Sequence, residues 1–232
     1  MTTIAQNLKR VRERIATACL EAHRNVEEVT LLAVSKTFGP EAVRAACAAG
    51  QRAFGENYVQ EGVDKVVALA DLPGIEWHCI GPLQSNKTRP VAEHFDWVHT
   101  IDRLKIAERL SAQRPAGLTP LNVCIQVNVD GGANKSGVAP QEALALARAV
   151  AGLPRLRLRG LMTIPEPAPD FAAACALHAR ARAIFDQLNA AGLGLDTLSA
   201  GMSADLEAAI SAGSTMVRVG SAIFGQRERV AA

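Results

Sequence analysis

Apolar residues recur along this chain in two alternating textures. The first is a helical stripe: Ile4, Leu8, Val11, Ile15 and Cys19 fall on one face, while Lys9, Arg10, Arg12, Glu13 and Arg14 fall mostly elsewhere. That spacing predicts a helix over residues 2–24. After it, short and nearly continuous apolar runs alternate with alanine-rich helical stretches. The runs cover residues 29–34, 53–54, 75–80, 97–101, 121–129, 156–162, 197–199 and 216–219, and each is predicted to be a strand. Helical segments follow at about 40–49, 56–70, 85–94, 103–113, 140–152, 170–191 and 203–213, with a short piece from 221.

Runs that are apolar on both faces suit a parallel sheet covered on both sides. Strand–helix alternation repeated eight times predicts an α/β fold, a (β/α)8 TIM barrel with an extra N-terminal helix. A doubly wound open sheet is the alternative that the same alternation allows. No composition shift, charged block or Ser/Pro-rich linker divides the chain, so residues 1–232 read as one domain.

Composition narrows the function classes. The chain is 49% hydrophobic, which excludes intrinsic disorder. Its 25 Lys and Arg against 23 Asp and Glu argue against a nucleic-acid partner. No apolar stretch approaches the ~18 residues of a membrane span, and the charged N-terminal stretch lacks the apolar core of a signal peptide. The five cysteines are scattered, form no CxxC pair and show no zinc-ligand spacing with histidine. Free thiols in a reducing cytoplasm and no metal site are therefore expected.

In a barrel of this kind the active face lies at the C-terminal ends of the strands. Lys36 sits there, directly after the apolar run VTLLAVS. Desolvation at a barrel mouth lowers an ammonium pKa, and a neutral lysine is a nucleophile for carbonyls. A structural ion pair with a carboxylate such as Glu56 is the other reading. After strands seven and eight come SAGMS (199–203) and VGSAIFG (219–225), each with glycine, hydroxyls and a helix start. Ser203 is expected to cap the first of these helices, and Gly220 and Ser221 to open the second. Two helix N-termini with hydroxyls make an anion site, and phosphate commonly binds at these two loops in this fold. Lysine and phosphate site together suggest an aldehyde-bearing phosphate ester, either pyridoxal 5'-phosphate or a sugar phosphate. Arg218, on strand eight, either faces a pyridine nitrogen, which a purely donating guanidinium would keep unprotonated, or joins a salt bridge at the rim.

The segments AVSKT, FGENYVQE, WHCIGPLQSNK, GLMTIP and LSAGMSADLEAAISAGSTMVRVGSAIFG, taken in order, resemble the YggS/PROSC family of pyridoxal-phosphate homeostasis proteins over about residues 4–227. The resemblance implies a barrel similar to the N-terminal domain of alanine racemase. It implies that Lys36 carries pyridoxal 5'-phosphate as a Schiff base. It implies one phosphate loop at Ser199, Gly201, Met202 and Ser203 and a second at Gly220 and Ser221, with Arg218 facing the pyridine nitrogen. Asn57 and Met162 match positions lining the cofactor, and Lys135 matches a family motif as a secondary contact. His78, Asn86 and Lys87 belong to the third-strand motif without an assigned role. One departure stands out: Phe38-Gly39-Pro40 follows the SKT motif where the family commonly has a polar residue before proline, which leaves no second lysine beside Lys36.

A racemase needs two opposed acid/base groups. Lys36 would be one. The lone tyrosine, Tyr58, and Cys79, Cys124 and His78 are candidates for the other, whereas racemases draw it from a separate β-domain, and this sequence ends just after strand eight. The expectation is therefore a monomeric carrier with no catalytic residue, which binds the cofactor and hands it to apo-enzymes. A small racemase and a cofactor-free Schiff-base aldolase are the alternatives.

Overall fold

The computed structural model describes residues 2–131 and 136–225. Eight strands form a closed barrel in chain order: β1 (Thr30–Val34), β2 (Ala53–Glu56), β3 (Glu76–Cys79), β4 (Trp97–Ile101), β5 (Leu121–Gln126), β6 (Leu156–Met162), β7 (Thr197–Met202) and β8 (Met216–Val219). All neighbours are parallel, and β8 closes on β1 through Leu32 opposite Arg218 and Ala33 opposite Val219. The barrel, not the open sheet, is the architecture.

Strand side chains alternate between two cores. Ala33, Phe54, Val98, Ile125, Leu161 and Val217 face outward into one continuous apolar layer under the helices. The other face fills the barrel interior with Leu32, Val34, Ala53, Ile80 and Met216 on one side and Trp97, Cys124 and Met162 on the other. β2, β4 and β8 are buried along their whole length, with Glu56, His99 and Thr100, and Arg218 as the polar members of otherwise apolar runs.

The outer helices are α1 (Ile4–Glu21), α2 (Pro40–Ala48), α3 (Val59–Ala68), α4 (Thr88–His94), α5 (Leu104–Gln113), α6 (Ala143–Ala151), α7 (Phe171–Ala190), α8 (Leu206–Ser211) and α9 (Ser221–Phe224). The extra N-terminal helix is α1. Thr3 and Gln6 close its first turn as a capping box, and Leu8, Val11, Ile15, Ala18 and Cys19 form its buried face.

The boundaries differ from expectation where polar residues take part in strands or turns. β2 runs on through Gly55 and Glu56, and α3 starts only at Val59. β5 ends at Gln126, after which Val127 forms an isolated bridge to Val138. β7 extends through Gly201 and Met202, so Ser203 does not cap α8; Asp205 stands at that position. The segments 85–94 and 140–152 each begin as a 3-10 turn before α4 and α6.

Candidate functional site

A cavity of about 700 Å³ opens at the C-terminal ends of the strands. Lys36, Asn57, Met202, Ser203, Arg218, Gly220 and Ser221 line it, beside Val34, Phe38, Ile80 and Ile164. Seven of the ten expected ligand-binding residues thus share one wall. Met162, Ser199 and Gly201 do not. Met162 packs inside the barrel with Trp97 and Cys124. Gly201 adopts φ 92°, and a Cβ there would run into the Cβ of Ala209, so this glycine serves the passage from β7 towards α8. The Ser199 hydroxyl lies between His99 and Arg218 rather than on the cavity wall. Lys135 lies outside the described residues.

The backbone on both sides of Lys36 is clamped. Lys65, buried on α3, donates from Nζ to the Ser35 carbonyl at 2.8 Å, to Glu56 Oε1 at 2.7 Å and to Glu61 Oε1 at 2.7 Å. The Ser35 hydroxyl donates to Glu56 at 2.6 Å, and the Thr37 N–H donates to Glu61 at 2.6 Å. Thr37 sits at φ 69°, an unusual conformation for a β-branched residue. Such a residue persists only where surrounding contacts over-determine it, and here they do. Glu56 therefore meets Lys65, and the expected alternative of a Glu56–Lys36 pair gives way to a buried ion pair one element further out. Burial raises the Glu56 pKa above the usual carboxylate value, against the pull of Lys65 and Ser35.

Across the cavity, two turns present unpaired backbone donors. Among the described residues, no acceptor takes the N–H of Ser203, Ala204, Ser221 or Ala222. Asp205 shapes the first turn: Oδ1 accepts the Met202 N–H at 2.7 Å, and Oδ2 lies 2.9 Å from His178 Nε2. The N-terminal helix braces both turns. Arg14 reaches the Ser203 carbonyl and makes a two-pronged pair with Glu207, while Asn7 donates to the Ile223 carbonyl at 2.9 Å. Phe38 stacks on Phe224 with ring centroids 5.3 Å apart, joining the β1 loop to α9.

Arg218 sits on the floor, 4% exposed. Its guanidinium donates to Ser199 Oγ and to the Thr163 carbonyl, both at 2.8 Å. No carboxylate stands within 4 Å of it among the described residues, so the rim salt bridge is not what holds it. Burial lowers its pKa to about 10, which leaves it cationic at neutral pH.

The other acid/base candidates lie elsewhere. Tyr58 is 57% exposed and off the wall. Cys79 and Cys124 are buried away from the cavity, and burial pushes both thiols up to about 12. His78 lies inside the barrel, and Asn86 and Lys87 form a turn after β3. Sequence reading missed Lys65, His99, Asp205 and Arg14. The one signal available was Glu61 and Lys65 at helical i,i+4 spacing, which by itself describes any solvated helix.

Comparison with known proteins follows the same lines. The family described as alanine racemase, N-terminal domain, matches residues 2–228. The pyridoxal phosphate homeostasis protein of Pseudomonas aeruginosa is 62% identical over 228 residues, spanning 98% of this chain and 97% of its own. The Escherichia coli protein of the same name is 56% identical, spanning 98% of each chain. Among solved structures, PipY of Synechococcus elongatus with PLP bound superposes with a TM-score of 0.81 at 38% identity, over 96% of this chain and all of PipY (100%). Alanine racemase from Corynebacterium glutamicum, 21% identical with a TM-score of 0.69, shares the fold over 97% of this chain and 61% of its own.

Proposed function

The chain belongs to the alanine racemase N-terminal-domain family, and from that premise we propose that it is a pyridoxal 5'-phosphate-binding protein acting in cofactor homeostasis. The observation that carries this is the sharing of one cavity by Lys36, Arg218 and two turns of unpaired N–H groups.

The donor set fits the cofactor. A phosphate dianion wants convergent backbone N–H groups and hydroxyls, and Ser203, Ala204, Ser221 and Ala222 offer them without competing acceptors. When bound, the cofactor supplies an aldehyde that condenses reversibly with a primary amine, releasing one water. Lys36 is the amine proposed to hold it. The clamp on Ser35 and Thr37 keeps that lysine at the mouth. Arg218, cationic and held by two neutral acceptors, can only donate to a ring nitrogen. With the cofactor bound, it would hold that nitrogen free of a proton and keep the ring a weak electron sink. Asn57, Met202 and Gly220 complete the wall, with Met162, Ser199 and Gly201 shaping it from behind.

Carriage rather than catalysis is supported by the chemistry of the wall. Among the described residues lining the cavity, Lys36 and Arg218 are the only ionisable side chains, and racemisation needs a second base opposite the first. The homeostasis name of the relatives agrees. Transfer to apo-enzymes, a monomeric state and work in the cytoplasm, where five free cysteines are at home, complete the proposal. No helix among the described residues is long and apolar enough to cross a membrane.

The test is spectroscopic. Protein loaded with pyridoxal phosphate should absorb in the visible and bleach on borohydride, with the added mass on the Lys36 peptide. A label on any other lysine ends the Lys36 assignment. Rapid loss of chirality in added L-alanine ends the carrier reading.

A further inference from the structure

The barrel interior holds a chain of polar groups that the carrier reading leaves unused. His78 Nδ1 lies 2.9 Å from His99 Nε2, and His99 Nδ1 lies 3.0 Å from Ser199 Oγ. That same oxygen accepts from Arg218 at 2.8 Å. At the far end, His78 Nε2 stands 3.7 Å from Glu76 Oε2. Glu76 lines a second hollow of about 410 Å³, with Arg12, Thr30 and Arg52. The hydrogen-bonded chain thus runs from His78 through His99 and Ser199 to Arg218 at the cavity, and its first three members are fully buried.

Its direction follows from hydrogen-bond bookkeeping. Arg218 can only donate, so Ser199 Oγ accepts from it. If Ser199 also accepted from His99, its own proton would have no acceptor, since no other partner is within reach among the described residues. Ser199 therefore donates to His99 Nδ1. His99 then carries its proton on Nε2 and donates to His78 Nδ1, and His78 Nε2 is left buried without a hydrogen-bond partner, 3.7 Å from Glu76 Oε2. Every dipole in this arrangement turns its negative end toward the buried guanidinium, which among the described residues has no carboxylate within 4 Å and feels Asp205 only from further away; the reverse arrangement would turn the positive ends of both imidazoles toward it. Burial lowers both imidazole pKa values and so favours the neutral rings that this arrangement requires. For His99, the neighbouring His78 and Arg218 add to that effect. Glu76, Asp96 and Arg159 are the charged groups that act on His78.

We propose that His99 is a positioning residue: through Ser199 it fixes the aim of Arg218, so that a one-way chain of hydrogen bonds inside the barrel sets the protonation behaviour of the ring that Arg218 faces. This rests on the reading of the cavity as a pyridoxal phosphate site. A packing role alone would predict only lost stability on substitution. A positioning role predicts a spectroscopic change that a conservative replacement reverses.

The experiment uses the full chain loaded with pyridoxal phosphate and follows the pH midpoint of its visible band. Ser199→Ala and His99→Leu should each move the midpoint by roughly one pH unit, a tenfold change in the proton equilibrium, in the direction produced by Arg218→Gln. The double variant should move it no further than Ser199→Ala, because both act through one chain. His99→Asn should return it toward wild type, since the Asn amide oxygen can accept from Ser199 in place of Nδ1. A folded His99→Leu protein with an unchanged midpoint overturns the proposal. Should that variant fail to fold, imidazole 15N spectra of the cofactor-free wild type decide instead: both rings should be neutral Nε2–H tautomers with N–N coupling from His78 to His99. An Nδ1–H proton on either ring overturns the proposal. Wild-type protein that never develops the visible band defeats the cofactor reading, and the 15N result still decides the chain.

Discussion

Lys65 Nζ and Glu56 Oε1 lie 2.7 Å apart in a buried ion pair that also carries the Ser35 carbonyl, so the charge pair and the backbone beside Lys36 form one unit. Neither member touches the cavity. The pair sets where the Lys36 loop lies without supplying any chemistry to it.

Breaking one half of that pair leaves the other charge buried and alone. Lys65→Met should cost about 3–5 kcal/mol of stability in urea unfolding, well beyond a surface change. Lys65→Met with Glu56→Gln should recover part of the loss, because the buried carboxylate goes with its partner. The sign with pH also follows. Glu56 has a raised folded pKa, so its ionisation in the native state opposes folding and stability falls as pH rises from 4.5 through the folded value. Glu56→Gln should remove that slope. An unchanged slope in the variant would show that another group causes it.

Lys36→Ala should abolish the borohydride-stable adduct and keep binding through the two N–H turns. The affinity for pyridoxal phosphate should weaken by about a hundredfold or less, about 2.7 kcal/mol, read by equilibrium dialysis. Complete loss of binding would place the ester end elsewhere.

Asp205 holds the turn at 202–205 through the Met202 N–H and His178. Burial pulls its carboxyl up, but His178 and Met202 outweigh this, and the net pKa lies below 3.8. A lowered folded pKa gives stability that is present above 3.8 and is lost as pH falls through the folded value. Wild type and Asp205→Asn should therefore differ by a constant amount, about 1–2 kcal/mol, at higher pH and converge in acid. The same variant should weaken phosphate-ester binding while leaving borohydride labelling of Lys36 intact at saturating cofactor.

Gly201→Ala should destabilise by roughly 1–3 kcal/mol, since it adds strain at positive φ and a clash with Ala209. Denaturant midpoints will show this. A neutral result would mean that α8 shifts to make room.

The thiols give a check on burial. Cys19, Cys47, Cys79 and Cys124 are buried, and Cys175 alone is partly exposed. A thiol reagent should modify about one site quickly in folded protein and all five after denaturation. Fast modification of Cys79 or Cys124 would contradict the closed barrel core.

The alternation of apolar runs and amphipathic stretches determined a parallel sheet covered on both faces, while its closure into a barrel rather than an open sheet was decided by the pairing of β8 with β1. The residues Lys36, Arg218, Ser203 and Ser221 were also legible, since each stands at a strand end or turn that the fold places at one mouth. What the sequence could not reveal was which polar side chains meet. Lys65 is a helix residue whose spacing to Glu61 looks solvated, yet the wrapping of α3 over β1 and β2 buries it beneath the Lys36 loop. Arg14 and Asn7 reach turns about two hundred residues away. Ser199 was expected in a phosphate loop, His78 in the third-strand motif and His99 had no role, and only barrel closure turns the inward faces of β3, β4, β7 and β8 toward one another so that the three meet. Local pattern is written in neighbours along the chain. Hydrogen-bond partnership depends on distances that exist only once the eight strands have closed.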